Sequence, residues 1–589
     1  MQERAEIRRN RAGLWVAQGP LDWQRIPSRV EAVIAQRVGR LLADLQDDLV
    51  VAAVQGEEFV AEVVAAVRTE DGVAERLRLA SRSPHRLIES AGAFRIAEQL
   101  VTTYRFRHVL FQRYLYDRLA EAERLHLHEL TGRALEELYR NFADPPVVDL
   151  AYHFDEARLV EPAIGYFSQA GKRAIRMAAN EEAIRLFQRA AVLIETMPES
   201  PQRDERELEL RAPLAGAIMA VRGYSAPEAD ANGRRLRQLC DRLEPSVAVG
   251  LALFGQVYVA SVRASYAEME DLSRELLRVA DELDDSALRV LGLFGIGVAS
   301  TWVRRLPAGH RNLQRAYEIF DHQAHGWLMA VFGQAVGPEV SAWDSFYTVF
   351  RGYPDQAVHQ ADEAMALARR LGPAFTVCHT VSVAGSLLRL FRGDYQDALA
   401  FVEEFGEIGA TEHFPFFEVA AEVHRGVIVG HLGDPDAGID LIATGLERWR
   451  QMGIMSFRAL FVAHQAEIEH LAGRPEKGLR LLEAEAPLAA ASEERLSAIY
   501  LAAKRGALLR AVGSETTEEA LRTAMHDAQA IGSPAIELSA ATELAVLLDR
   551  SGRVEEAHSV LEPAYGWFKE GFDTPDLARA KQVLDRIAR

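Results

Sequence analysis

The sequence predicts an all-α chain: an array of helix pairs recurring about every forty residues, preceded by a small domain of short helices and a β-ribbon. Three observations carry this expectation. Six glycine-centred turns recur at nearly constant spacing, apolar residues between them fall at helical intervals, and the first 140 residues lack that period and break into short extended pieces. With 589 residues the chain has room for several domains or one long array. Its composition, 49% hydrophobic and 26% charged, excludes disordered, collagen-like and disulfide-scaffold classes.

Residues 1–27 read as a linker or arm. MQERAEIRRNRAG is basic but is followed by no apolar segment, so it is not a secretory signal. Three helical patterns come next, SRVEAVIAQRVGRLL, DLQDDLVVAAV and EFVAEVVAAV, and a fourth lies near Val73 to Ala80. The texture then turns extended in HRLIES, AFRIAE and TTYRFRH, before helices resume at Val109. Helices followed by a small ribbon is the order of a winged-helix domain, assigned to residues 28–140. Residues 1–140 hold 21 Arg against 21 Asp and Glu, so the basic stripe of a DNA reader is missing. The remaining residues carry the whole net charge of −19, which repels nucleic acid.

The array is assigned to residues 141–589. Its turns centre on Gly352, Gly393, Gly433, Gly473, Gly513 and Gly552, at intervals of 39 to 41 residues. In all but the Gly513 turn a small residue follows five positions on: Ala357, Ala398, Gly438, Gly478 and Ala557. A glycine ends one helix with positive φ, and the small residue lets the next helix pack closely against it. Ala264 and Arg304 occupy the glycine position in degenerate copies, with Met269 and Gly309 at the fifth place, and Ala178–Leu193 is a further copy. Such pairs cannot bury their apolar faces alone and stack into a superhelix. The pattern resembles tetratricopeptide repeats with longer helices. The longest uncharged apolar run, Val290 to Val303, is too short to cross a bilayer and reads as a buried helix. The two cysteines, Cys240 and Cys378, are far apart, which removes any disulfide framework or cysteine zinc site and favours a reducing compartment, the cytoplasm.

Longer stretches carry a family resemblance. RIPSRVEAVIAQRVGRLLADLQDDLVVAAVQGEEF, TYRFRHVLFQRYLYDRLAEAERLHLHELTGRALEELY, AIGYFSQAGKRAIRMAANEEAIRLFQRA, GYSAPE at Gly223–Glu228 and the terminal YGWFKEGFDTPDLARAK together resemble the part of the STAND family, signal-transducing ATPases with numerous domains, that follows the ATPase module. The resemblance implies a winged helix and a repeat superhelix acting as sensor in a bacterial signalling or transcriptional regulator. It departs from the family at the P-loop. Phosphate binding needs GxxxxGK followed by Ser or Thr, and the nearest segment, GYFSQAGKR at Gly165–Arg173, has one residue too many and Arg in place of the hydroxyl. The chain is therefore expected to be the C-terminal portion of such a regulator, or a shortened relative. The alternative is the regulatory portion of an adenylate cyclase or ATPase whose catalytic module is absent from this chain.

The resemblance makes His108, in RFRH, a nucleotide-sensor candidate, since in relatives a winged-helix histidine contacts the phosphates of bound ADP. From the residues alone, His108 stands at a strand-to-helix junction, where it can satisfy local backbone groups. No metal or other cofactor is expected: His126 and His128 point to different faces of a helix, and His322 and His325 with Asp321 read as a surface loop. There is no GxSxG elbow and no GxGxxG after a strand, so no enzyme is expected. Aromatics gather between Trp302 and Phe417, and a superhelix exposes one helix of each pair along its concave wall. Trp302, Trp327, Trp343, Phe346, Tyr347, Phe414, Phe416 and Phe417 are the candidates for contact with a protein, peptide or small-molecule effector. Self-association is a further partner class, and a membrane is not one.

Overall fold

The computed structural model describes residues 7–9, 15–17, 28–82, 87–96, 99–177, 179–332, 335–372 and 374–588. Most of the 1–27 arm, and Ala178 at the start of one repeat copy, lie outside the described residues. The chain forms two compact units, Met1–Glu199 and Ser200–Arg589. The sequence reading begins the array at 141; the helices between Val147 and Glu195 belong to the first unit.

In the first unit, helices Ser28–Val38, Ala43–Gln55, Ala61–Arg68 and Val73–Arg82 accompany a three-stranded antiparallel sheet whose first strand falls between the second and third helices. Strand Gln99–Phe106 is central, between Glu58–Val60 and Ile88–Ile96. Two details differ from expectation. Residues 88–90 of HRLIES and 93–96 of AFRIAE belong to one strand, because a bulge between Ser90 and Gly92, with Gly92 at φ 153°, lets pairing continue past the irregularity. Residues 58–60 are strand rather than helix, since Phe59 is buried against the rings of Tyr104 and Phe106 on the neighbouring strand. Buried Asp48 ties two helices to its own: Arg76 donates to both its oxygens, at 2.7 and 2.9 Å, and Arg68 approaches to 3.3 Å.

The second unit is a tetratricopeptide-like superhelix of antiparallel helix pairs. The turn mechanism is visible at Gly393, whose φ of 89° ends one helix before Tyr395–Thr411 begins. Gly438 shows why the fifth position is small: a Cβ there would fall 2.5 Å from the Gly430 Cα. Of the degenerate copies, Ala264 keeps positive φ at 59°, whereas Arg304 adopts φ −111°. Within Ala374–Arg392 the helix widens to a π turn over Val381–Leu387, and buried Arg389 donates to the carbonyls of Ala384 and Gly385, both at 3.1 Å. Helices Ser286–Val303 and Ala374–Arg392 have the length and apolarity of a bilayer span, yet 78% of each is buried inside the protein.

The superhelix closes on itself. The Tyr224 N–H donates to Met452 O at 2.8 Å, and the Met455 N–H to Val262 O at 3.0 Å. Ser533 Oγ donates to Phe350 O at 2.9 Å, and the Gly571 N–H to Asp355 at 2.9 Å. Side-chain contacts along this seam join residues 181 to 228 positions apart. At forty residues per repeat, one turn therefore takes about five repeats.

Candidate functional site

Closure turns the concave wall into an interior. Helix Val336–Phe350 has every residue buried, and Asp344, Ser345 and Thr348 find partners. Asp344 lies 2.6 Å from His310 Nδ1 and accepts from Gln360 at 2.9 Å, while Ser345 and Thr348 donate to carbonyls of their own helix. Glu339 is different: it is 1% exposed and neither carboxylate oxygen has a hydrogen-bond partner. Burial raises its carboxyl to about 8 and lowers His379, 3.8 Å away, to about 4. At neutral pH the two meet as a carboxylic acid and a neutral imidazole, not as an ion pair.

The seam itself is organised by Glu494. Its carboxylate accepts from the Phe457 N–H and the Tyr266 hydroxyl across the seam, both at 3.0 Å, and from Ser497 at 3.0 Å. Burial raises it to about 7 despite these donors. Phe457 is held at φ 66°, a left-handed conformation unfavourable for a bulky residue. There its ring stacks on Trp343 at 5.6 Å and meets Trp302 edge-on at 5.4 Å. Beside this contact a cleft of about 390 Å³ opens along the seam, with Arg263, Ala264 and Ser265 on one wall and Met455, Arg458, Glu485, Leu488, Glu493 and Glu494 on the other. A second cleft, of about 190 Å³ beside Tyr317, Val340 and Asp344, is below the usual size of a ligand site.

The aromatic candidates separate by position. Trp302, Phe346, Tyr347 and Phe417 are fully buried, and Trp343 is 8% exposed. The expectation that they line an open wall is corrected here: Phe457, from a later repeat, covers Trp302 and Trp343, Phe417 lies against Phe375, Phe414 and Phe416, and Trp343, Phe346 and Tyr347 pack on one another. Phe414 and Phe416 are half-buried, against Phe375 and Trp449. Trp327, at 38%, is the exposed one of the set. His108 caps helix Val109–Asp117, its Nδ1 accepting the Leu110 N–H at 3.2 Å. His126 is exposed, while buried His128 pairs its Nδ1 with that of His153 at 2.9 Å. His325 is engaged through both nitrogens, with Ser286 and the Asp321 N–H, and the Asp321 carboxylate accepts two backbone N–H groups of its own turn.

Sequence reasoning missed Glu339, His379, Phe457 and Glu494. One signal was present for the first: helix Val336–Phe350 contains two acids and no basic residue, so Glu339 has no local partner.

No protein-family model matches the chain, and no curated protein matches it. Solved structures similar to it include a Rap protein complexed with competence and sporulation factor, at 13% identity and TM-score 0.46, covering 62% of this chain and 98% of that one. A STAND protein with a tetratricopeptide repeat sensor from Pyrococcus horikoshii aligns at 11% identity and TM-score 0.37, covering 91% and 68%. The apo quorum sensor NprR from B. thuringiensis aligns at 12% and 0.37, covering 62% and 99%. At these scores the likenesses carry no functional argument.

Proposed function

We propose that the chain is the sensor and scaffold part of a signalling regulator, which binds a peptide or a segment of a partner protein along the superhelical seam. The observation that carries this reading is the cleft of about 390 Å³ in the seam. Its walls come from two successive turns, so an occupant touches both. A ligand that prefers one seam geometry shifts the equilibrium between geometries by its differential affinity. The lining suits a peptide: Met455, Ala459 and Leu488 offer apolar surface, and Arg263, Arg458, Glu485 and Glu493 offer both signs of charge.

In this reading residues 28–140 act as a STAND-type winged helix, supported by their order of helices and antiparallel sheet. The chain works by binding without catalysis. It resides in the cytoplasm, where two free buried cysteines are at home.

The test is a peptide screen by thermal shift, with binding mapped by hydrogen exchange. Leu488→Trp should fill the cleft and weaken a hit at least tenfold without lowering the thermal midpoint, because Leu488 is 56% exposed. Unchanged affinity in that variant, with protection outside residues 263–265, 455–459 and 485–494, would overturn the proposal.

A further inference from the structure

A second polar cluster in this unit lies outside the seam cleft, at the edge of the aromatic interior. His431 stands at the end of helix Pro415–Leu432. His464 and Glu467 are three apart on helix Arg458–Leu471, which places them on one face. One ligand atom from each of the three lies within 4.8 Å of the others. His464 is 1% exposed and neither of its ring nitrogens has a hydrogen-bond partner; Nε2 of His431 has none either. Buried polar atoms left unpartnered are costly, and such atoms converging from two helices on one carboxylate call for an occupant.

The surroundings prepare these groups for coordination. Tyr395 stacks on His431 at 4.0 Å and 10°, and Phe391 meets His464 edge-on at 4.9 Å, fixing both rings. Burial lowers both histidines, His464 to about 3, so each is the neutral imidazole that metals bind. Burial opposes ionisation of Glu467, but the Lys504 ammonium beside it keeps the carboxyl low, at about 2. Lys504 Nζ donates to Glu467 Oε1 at 2.8 Å, and Oε2 lies 4.0 Å from His464 Nδ1.

We infer that His431, His464 and Glu467 form a binding site for a divalent transition-metal ion, of which zinc is the simplest occupant. Two histidines and one carboxylate are a zinc donor set that leaves a fourth position open. Tetrahedral zinc at about 2.0–2.1 Å from its ligands holds them about 3.4 Å apart, so the farthest pair closes by no more than about 1.4 Å. Lys504 is the competitor. Its ammonium occupies one carboxylate oxygen and repels an incoming cation, and when displaced it keeps Asp576 as a nearby counter-charge. An ion here joins two neighbouring helix pairs. The inference does not depend on the seam reading, and either can fail alone.

The experiment titrates cobalt(II), then zinc(II) in competition, into the chelator-treated full chain, read by visible absorption and calorimetry. One saturable equivalent with a tetrahedral cobalt band is expected. His431→Ala and Glu467→Gln should each weaken binding at least tenfold, whereas Lys504→Met should tighten it several-fold. His431 is only half-buried, so its variant serves if His464→Ala fails to fold. Absence of saturable binding, or binding indifferent to His431, Glu467 and Lys504, overturns the inference.

Discussion

Replacing Glu339 by glutamine removes one ionisable group from a helix whose every residue is buried, and leaves the shape of the side chain almost unchanged. Burial raises this carboxyl from 4.5 to about 8. The folded chain therefore keeps a proton that the unfolded chain releases above pH 4.5. The associated stability is complete below pH 4.5 and is lost as pH rises toward 8. Each pH unit in that window is worth about 1.4 kcal/mol, so at pH 7 the accumulated loss is about 3 kcal/mol. Glutamine carries no such cost. The stability of Glu339→Gln relative to the parent chain should rise by about 1.4 kcal/mol per pH unit from pH 5 and level off above 8. Glu494 and the buried histidines titrate in both proteins, so their contributions cancel in the difference. Urea midpoints of the full chain across this range supply the measurement. A difference flat to within about 0.5 kcal/mol would refute the reasoning, because the carboxyl would then have a partner in the folded state.

Trp343→Ala should cost about 3–5 kcal/mol, seen as a lower thermal midpoint, because Trp343 is core packed on Phe457; an unchanged midpoint would return it to the list of contact residues. The buried histidines contribute with the opposite sign to Glu339 and Glu494. Burial lowers His424 to about 3, so its contribution to stability, present above pH 6.5, falls by roughly 2 kcal/mol by pH 5. The urea midpoint of the parent chain relative to His424→Gln between pH 7 and 5 checks this, and a difference that does not change with pH would contradict it. ATP and ADP with magnesium should give no heat of binding at micromolar concentrations, since no GxxxxGK[ST] loop is present; a low-micromolar dissociation constant would show that another loop cradles the phosphates.

Features decided within one repeat were legible in the sequence. The turn at Gly393 and the close approach at Gly438 follow from residues five apart, and most copies restate them. Even the degenerate Ala264 keeps its left-handed turn. What the sequence concealed was the closure, because its partners lie about two hundred residues apart and no periodicity encodes them. The aromatics from Trp302 to Phe417 looked like the wall of an open groove because Phe457 and Tyr500, which cover part of that wall, belong to later repeats. Glu467 and His464 were likewise unremarkable on their own helix until His431 and Lys504 converged on them.

Two segments that resemble a known family prove to be parts of the seam. In GYSAPE, a Cβ on Gly223 would fall 2.8 Å from Met452 O, and across from it a Cβ on Gly453 would meet the Ser225 N at 2.5 Å. In YGWFKEGFDTPDLARAK, Asp573 pairs with Arg392, and Pro575 lies where a Cβ on Gly393 would come within 2.8 Å of its Cγ. An array with only nearest-neighbour interfaces opens locally when one repeat is strained; a closed one passes the strain to the next turn. Gly393→Val and Gly433→Val separate these cases. Both positions have positive φ, at 89° and 130°, and valine there costs on the order of 1–3 kcal/mol. Gly433 faces open space, so its variant should raise hydrogen exchange only in the flanking helices. Valine at Gly393 also drives into Pro575, so exchange should rise in helix Pro575–Ile587 as well, about 180 residues away in sequence and one turn away in space. If both variants raise exchange in their flanking helices alone, the seam contributes little to stability and the superhelix behaves as a one-dimensional stack.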